Sequence, residues 1–183
     1  MGALDFILEQ FLHVPQDHRH DCPWRSACRG DELPCLLPGT PVYCNFSFGI
    51  AEHTGIYVGD GIVHLDGEGD VIHSAPREFL ARLDGRNLAV NIYYAAWGEG
   101  RPLGDDGIAG RALAQVGTHP GYSLLSANCH GFSIGCITGR GSRSSLTLHS
   151  VERAISRAFG TRRWRWRCWG GWRRQWALPG GSS

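Results

Sequence analysis

The pattern of apolar and polar residues in the middle of the chain predicts a small antiparallel sheet. Short runs that alternate, or that are rich in β-branched and aromatic residues, are typical of strands. Asp60-Gly61 lies between two of these runs and favours a two-residue hairpin turn. The predicted strands are residues 41–46, 54–59, 62–66, 71–74 and 88–95.

Helical periodicity follows the strands. Three stretches carry apolar residues at helical spacing, with a capping residue before them or a glycine after them. They are residues 106–116 with Asp105 as N-cap, residues 129–138 with Asn128 as N-cap, and residues 150–159. An apolar stripe in residues 3–12 predicts one more helix. Strands first and helices afterwards indicate the α+β class, with a small antiparallel sheet packed on helices.

Length and composition fit one compact domain with extensions. The chain has 183 residues, of which 42% are apolar and 19% are charged, as in globular proteins. We expect the domain to span residues 38–160. Residues 1–37 would form the N-terminal helix and an irregular extension, and residues 161–183 an Arg/Trp-rich C-terminal tail.

All 18 basic residues are arginine. Without lysine, the chain cannot use phosphate-loop nucleotide hydrolysis, Schiff-base chemistry or pyridoxal attachment. Charge is also divided along the chain: residues 1–106 carry a net −9 and residues 107–183 a net +10. The basic part makes polyanions or an anionic membrane surface candidate partners.

The N-terminal segment carries Asp5 and Glu9 where a signal peptide would carry basic residues. No run approaches the roughly 20 apolar residues of a membrane span. We expect a cytoplasmic or peripheral membrane location, with signal-independent export left open.

The seven cysteines form no Cys-x-x-Cys pair, and their odd number argues against a fully paired disulfide framework. The spacing of the histidines and cysteines between residues 18 and 35 matches no common zinc site. We therefore predict no metal and no cofactor.

Cys129 is the candidate nucleophile. With Asn128 as N-cap it is the first residue of its helix, where free backbone N–H groups and the helix dipole favour a thiolate and can hold an oxyanion.

Six of the nine histidines have no motif around them and are read as surface or loop residues: His13, His18, His20, His119, His130 and His149.

A nucleophilic cysteine needs a base, and His53 and His64 are the candidates. A two-residue turn at Asp60-Gly61 pairs Tyr57 with His64 and places His53 on the same face of the sheet. His53 then lies four residues from Tyr57, roughly 13 Å along the strand, so a direct contact between the histidines needs a bulge or a strong twist. From the residues alone, catalysis and a buried structural cysteine with sheet histidines stay open.

Three blocks of sequence in this order resemble the lecithin:retinol acyltransferase family. They are His53-Thr-Gly-Ile-Tyr-Val-Gly-Asp-Gly-Ile-Val-His64, Gly110-Arg-Ala-Leu-Ala and Tyr122-Ser-Leu-Leu-Ser-Ala-Asn-Cys129-His-Gly-Phe132. The following stretch, Ser133-Ile-Gly-Cys-Ile-Thr-Gly139, is similar to the family's bacterial branch.

The resemblance implies a circularly permuted papain-like fold of the NlpC type, with residues 38–160 as the catalytic domain. It implies Cys129 as nucleophile, His53 as general base and His64 as the residue that orients the base. The reaction would be thiol-dependent acyl hydrolysis or acyl transfer on lipid esters, of phospholipase A type, through a Cys thioester. A phospholipid or another acyl ester would be the substrate.

Two departures from the family pattern concern the site. His53 and His64 are eleven residues apart rather than the usual twelve, so His73 on the next strand is an alternative third residue. His130-Gly131 replaces the usual Glu-His after the cysteine. Two other functions stay open: a peptidoglycan or peptide amidase of the same superfamily, and a non-catalytic membrane-binding protein.

The stretch from Arg162 to Trp176 interleaves arginine and tryptophan. Trp164, Trp166 and Cys168 alternate with arginines, which is typical of a half-buried edge strand. The same composition suits membrane-surface contact and, less well, single-stranded nucleic acid. We expect a strand or a membrane contact and no nucleic acid. Residues 76–79 are read as the start of a short structural helix.

Overall fold

The computed structural model describes residues 36–46, 51–81, 91–98, 100–121, 123, 128–140 and 147–169. The helix predicted in residues 3–12, the histidine and cysteine cluster of residues 18–35, and the tail from residue 170 onwards lie outside the described residues.

Within the described residues, seven strands form one antiparallel sheet and four helices accompany it. The strands are β1 (Thr40–Phe46), β2 (Ala51–Tyr57), β3 (Ile62–Leu65), β4 (Val71–Ser74), β5 (Tyr93–Trp97), β6 (Arg101–Pro102) and β7 (Trp164–Cys168). The helices are α1 (Pro76–Leu80), α2 (Asp106–Leu113), α3 (Cys129–Thr138) and α4 (Leu148–Ala158). The predicted α+β class is confirmed, and strands that carry the histidines precede the helix that begins with the cysteine.

The strand order is β4-β3-β2-β1-β5-β6, and β7 pairs with β5. β1 pairs with β2 over its whole length, from Thr40 opposite Tyr57 to Phe46 opposite Ala51. β7 pairs with all of β5, from Tyr93 opposite Cys168 to Trp97 opposite Trp164. The sheet therefore continues into the segment that we expected to be a separate tail.

Two apolar clusters cover the two faces of the sheet. Neighbouring residues of a strand alternate between them, as the two-residue period of a strand requires. Helices α2, α3 and α4 pack on the cluster that contains Ile56 and Val63. The other cluster contains Tyr57, Ile62 and Phe79. No helix among the described residues is long and apolar enough to cross a membrane.

The β2–β3 hairpin differs from its prediction. The backbone N–H of Val58 donates to the carbonyl of Gly61 at 2.9 Å, so these two residues face each other and the two-residue loop is Gly59-Asp60, one position before the predicted Asp60-Gly61. Tyr57 therefore pairs with Ile62, and the predicted pairing of Tyr57 with His64 is wrong. The pairing of β2 with β3 is shifted by two residues relative to the prediction. Every side chain therefore keeps its predicted face, but His64 lies closer to His53.

Other boundaries move by a few residues. β2 begins at Ala51 rather than residue 54. β5 spans Tyr93–Trp97 rather than residues 88–95: it ends two residues later, residues 91 and 92 precede it, and residues 88–90 lie outside the described part of the chain. α2 ends at Leu113 and passes through turns to the glycine at 117. α4 begins two residues before its prediction because the side chain of Thr147 caps the N–H of Ser150. The two-residue strand β6 had no signal in the sequence.

The strand interpretation of the first part of the Arg/Trp-rich stretch is confirmed. Trp166 is 2% exposed, and its indole N–H donates to Glu152 Oε1 on α4 at 3.0 Å. The indole N–H of Trp164 donates to the hydroxyl of Ser156 on the same helix at 2.9 Å. The tryptophan side of β7 therefore covers the core, while Arg163 and Arg165 are exposed.

Candidate active site

Cys129 is the first residue of α3, as predicted. The side chain of Asn128 accepts a hydrogen bond from the N–H of Gly131 at 2.8 Å and caps the helix. At the other end Gly139 adopts a left-handed conformation with φ 69° and ends the helix where the sequence placed its end. The cap leaves the N–H groups of Cys129 and His130 without an intrahelical acceptor.

The sulfur of Cys129 lies against the backbone of β2. The thiol donates to the carbonyl of Glu52 at 4.0 Å, next to His53 in the chain. Its side chain is buried, with 5% of the residue exposed. Burial raises the pKa of the thiol, and hydrogen bonds from Thr54 and from the N–H groups of His130 and Cys129 lower the pKa by a smaller amount. The N–H groups at the helix N-terminus thus favour the thiolate, as expected, but desolvation of the buried sulfur outweighs them.

Thr54 fastens the start of α3 to β2. Its hydroxyl donates to the carbonyl of Cys129 at 3.0 Å and accepts from the hydroxyl of Ser133 at 3.0 Å. The ring nitrogen Nδ1 of His130 lies 3.3 Å from the same hydroxyl. This buried polar group fixes the position of the cysteine relative to the strand that carries His53. The sequence pattern marked Thr54 only as the first residue of a predicted strand.

The structure brings His53 and His64 into direct contact. The ring nitrogen Nε2 of His53 lies 3.1 Å from Nδ1 of His64, and the two rings meet edge to face. His53 is 5% exposed and His64 is fully buried. The hairpin makes the contact without a bulge, because its register places His64 across from Gly55, on the same face of β2 as His53. A Cβ atom at Gly55 would lie 2.7 Å from Ile62 Cγ2 and 3.1 Å from the Cβ of His64, so the close approach of the strands needs glycine.

Two further residues complete the histidine pair. The hydroxyl of Ser74 on β4 lies 2.8 Å from Nε2 of His64. The ring of Phe79 on α1 packs on both histidines, with centroid distances of 5.0 Å to His53 and 5.1 Å to His64. The sequence interpretation took the helix of Phe79 as purely structural and gave Ser74 no role. A serine at the end of a strand, directly after a histidine, carries no motif that would have identified it.

A comparison with protein families now decides the relationship. The family model described as lecithin retinol acyltransferase matches residues 37–142, more than half of the chain. The chain belongs to this family. Its members are in general cysteine-dependent acyltransferases or hydrolases. No curated protein and no solved structure matches the chain significantly.

The family match covers β1 to α3 and so includes Cys129, His53, His64 and Ser74. His73, the alternative third residue, lies apart from this group. It pairs with Val63 across β3 and β4, on the face opposite to His64, and its Nε2 lies 3.2 Å from Asp60 Oδ1. In this chain, therefore, His53 contacts His64 and not His73.

His130 corrects an expectation of the sequence analysis. It was read as a surface or loop residue, but it is buried, with 6% of the residue exposed. Burial lowers the pKa of His130 to about 4. Its neutral ring therefore lies against the Thr54 hydroxyl, next to Cys129 in the chain, without adding charge. His119 and His149, by contrast, are exposed and pair with Asp70 and Glu152.

One group of acidic side chains within the described residues has the proximity of metal ligands: Asp66, Glu68 and Asp70. The Oδ1 atom of Asp66 accepts three backbone N–H bonds of its own loop, from residues 68, 69 and 70. The loop conformation explains this carboxylate, and the group lies outside the histidine and cysteine site.

Proposed function

We propose that this chain is a thiol-dependent acyl hydrolase or acyltransferase that acts on lipid esters, with phospholipids as the substrate class. Cys129 is the nucleophile, His53 the general base and His64 the residue that orients it. Family membership supports the chemistry. The observation that carries the assignment of residues is the contact of His53 Nε2 with His64 Nδ1, on the strand whose backbone meets the Cys129 sulfur.

The direction of proton transfer follows from this contact. Because Nε2 of His53 is engaged with His64, the thiol proton must pass to Nδ1. For Nδ1 to be an acceptor, the neutral ring carries its proton on Nε2 and donates it to His64 Nδ1. His64 then carries its own proton on Nε2 and donates it to the Ser74 hydroxyl. One tautomer of each ring satisfies the whole chain.

The first half-reaction is attack of sulfur on the ester carbonyl. As the C–S bond forms, His53 takes the thiol proton and the carbonyl electron pair moves to oxygen. The N–H groups of Cys129 and His130, which already act on the sulfur, are positioned to hold this oxyanion. Collapse breaks the C–O bond, and His53 returns its proton to the leaving alcohol, which leaves a thioester on Cys129.

The second half-reaction releases the acyl group. Water or another acceptor loses a proton to His53 and attacks the thioester, and the thiolate leaves and recovers the proton. Because burial raises the pKa of the resting thiol, His53 acts as a general base during attack and not through a preformed ion pair.

Release of fatty acid and lysolipid from vesicles of phosphatidylcholine with one third phosphatidylglycerol tests the proposal. The wild-type chain is expected to release both, and Cys129→Ala none. His53→Ala is expected to lower the rate about 10²- to 10⁴-fold, as loss of a general base does. Unchanged release by Cys129→Ala would overturn the proposal. Release of fragments from peptidoglycan sacculi in place of lipid hydrolysis would point to the amidase alternative.

A further inference from the structure

A groove of about 740 Å³ lies between α4 and β7. Four of its lining residues are arginines: Arg153, Arg157, Arg162 and Arg165. All four are exposed. We call this surface the arginine groove. We infer that the arginine groove docks the chain on a membrane surface by binding the phosphate groups of anionic lipid headgroups. The inference extends the proposed function, because it concerns how a lipid substrate is reached.

The charge of the arginine groove is concentrated and poorly balanced. Among the described residues, Glu152 is the only acid that lines it. The carboxylate of Glu152 already accepts the indole N–H of Trp166 and lies 3.4 Å from Nδ1 of His149. Arg153 and Arg157 stand four residues apart on α4, a like-charge spacing that destabilises a helix. An anion in the groove would relieve this repulsion.

Arginine fits phosphate for geometric reasons. Its planar guanidinium donates two parallel N–H bonds to two phosphate oxygens and stays charged at any physiological pH. The whole chain has a net charge of only +1, so the groove is a local site and not part of a general polycation. It lies three strands from β2, about 14 Å at the usual strand spacing. A headgroup bound there is therefore separate from the ester at Cys129.

The tryptophans favour a lipid surface over nucleic acid. Single-stranded nucleic acid needs aromatic rings on which bases stack. Trp166 is buried, and Trp164 is half-buried with its ring edge to face against Trp166 at 5.3 Å. Both indole N–H groups are bonded to α4. Trp164 lines the groove, but it is held by α4 and Trp166, so the described part of β7 offers one half-buried ring and not a row of stacking platforms. Membrane contact here is therefore electrostatic rather than an insertion of tryptophan.

Sedimentation with vesicles tests the inference. The assay uses Cys129→Ala protein, because this variant separates binding from turnover. The Cys129→Ala protein should bind vesicles of phosphatidylcholine with one third phosphatidylglycerol and fail to bind phosphatidylcholine alone. Adding Arg153→Gln and Arg157→Gln should weaken binding about 25-fold, from about fivefold for each arginine. Raising NaCl from about 0.1 M to about 1 M, which shortens the Debye length from about 10 Å to about 3 Å, should abolish binding.

The control is Arg77→Glu on α1. This variant lowers the net charge by the same two units, but at a position away from the groove, and it should bind as the parent does. Equal binding of the groove variant and the parent would overturn the inference. So would binding without preference for phosphatidylglycerol, or tighter binding to a single-stranded oligonucleotide. Binding of inorganic phosphate at millimolar concentration, with no binding to vesicles, would mark a free-phosphate site and also overturn it.

Hydrolysis of a water-soluble short-chain ester distinguishes this inference from the proposed function. In the otherwise wild-type chain, the Arg153→Gln and Arg157→Gln variant should keep the wild-type rate on that ester and lose rate on anionic vesicles. A chain that binds vesicles through the groove but cleaves neither ester would refute the proposed function and leave the docking inference intact.

Discussion

The hydroxyl of Ser74 is expected to set the tautomer of the histidine pair, and Ser74→Ala tests this. The Ser74 oxygen lies 2.8 Å from Nε2 of His64, and Nδ1 of His64 lies 3.1 Å from Nε2 of His53. His53 can accept the thiol proton at Nδ1 only when His64 accepts at Nδ1 and carries its own proton on Nε2. Ser74 stabilises that arrangement by accepting the Nε2–H bond of His64.

The size of the effect follows from the burial of the group. His64 is fully buried and Ser74 is 6% exposed, so water does not replace the lost hydroxyl. A neutral hydrogen bond contributes about 1 kcal/mol, and a buried N–H left unpaired costs about 1–3 kcal/mol. Ser74→Ala should therefore lower the free energy of unfolding by about 1–3 kcal/mol. As the pair shifts to the unproductive tautomer, kcat/KM should fall by about five- to tenfold.

The assay is kcat/KM on a soluble ester as a function of pH, combined with ¹⁵N NMR of the histidine rings, which reports the protonated nitrogen. Ser74→Thr keeps the hydroxyl and should restore both the rate and the tautomer. Ser156→Ala is the matched control, because it also removes a serine that accepts a ring N–H, from Trp164 at 2.9 Å. Should Ser74→Ala retain the wild-type rate and ring tautomers, the reasoning is refuted.

Three more predictions follow from burial and packing. The alkylation of Cys129 by iodoacetamide should rise with pH through a midpoint above the ordinary thiol value of about 8.5, and a midpoint below it would contradict the raised pKa. Burial lowers the pKa of His130 to about 4, whereas in the unfolded chain it is about 6.5. Between about pH 6.5 and pH 4 the unfolded chain therefore binds more protons than the folded chain. The free energy of unfolding should fall with acidification in this range by up to about 1.4 kcal/mol per pH unit. Urea titrations should show a shallower fall in His130→Phe, and an equal slope would exclude this cause. Gly55→Ala should lose about 1–3 kcal/mol of stability and most of the activity, because its Cβ crowds Ile62 and His64 on the neighbouring strand. Gly110→Ala, with open space around it, should be neutral or stabilising, and equal melting temperatures of the two variants would refute the close approach.

The helices could be predicted closely from the sequence, because local chemistry determines where they end. Asn128 and Asp105 cap α3 and α2 as expected, and Gly139 ends α3 in the left-handed conformation. β4 has its predicted bounds, and the alternation of tryptophan and arginine in β7 gave the correct strand. In each case the residues that determine the element lie within a few positions of one another, so the sequence alone is enough to predict it.

The register of the β2–β3 hairpin could not be predicted in the same way. Asp60-Gly61 favours a two-residue loop at these two positions, but the bond from the N–H of Val58 to the carbonyl of Gly61 makes Gly59-Asp60 the loop, with Gly59 at φ 109°. Both dipeptides place a glycine in the loop, so the turn residues alone do not decide between the two registers. The contact between His53 and His64 depends on this shift, so the sequence identified both histidines and missed why they meet.

Long-range contacts explain the remaining omissions. Ser74, Phe79 and Thr54 reach the site through strand pairing and helix packing, and their own sequence neighbours carry no catalytic pattern. Desolvation of Cys129 is likewise a property of the packed structure. Helix position alone predicted a lowered pKa for this thiol, and burial reverses the direction.

The central claim is that Cys129 carries the acyl group and His53 takes its proton. Intact-mass and peptide-mass spectrometry of protein quenched in acid during turnover of a short-chain ester tests it most directly. The account predicts one added acyl group on Cys129, its absence in Cys129→Ala, and much slower formation in His53→Ala. Steady hydrolysis with the acyl group on another residue would contradict the account. So would the absence of an acyl group on Cys129 under rapid quenching, if Cys129→Ala remains active.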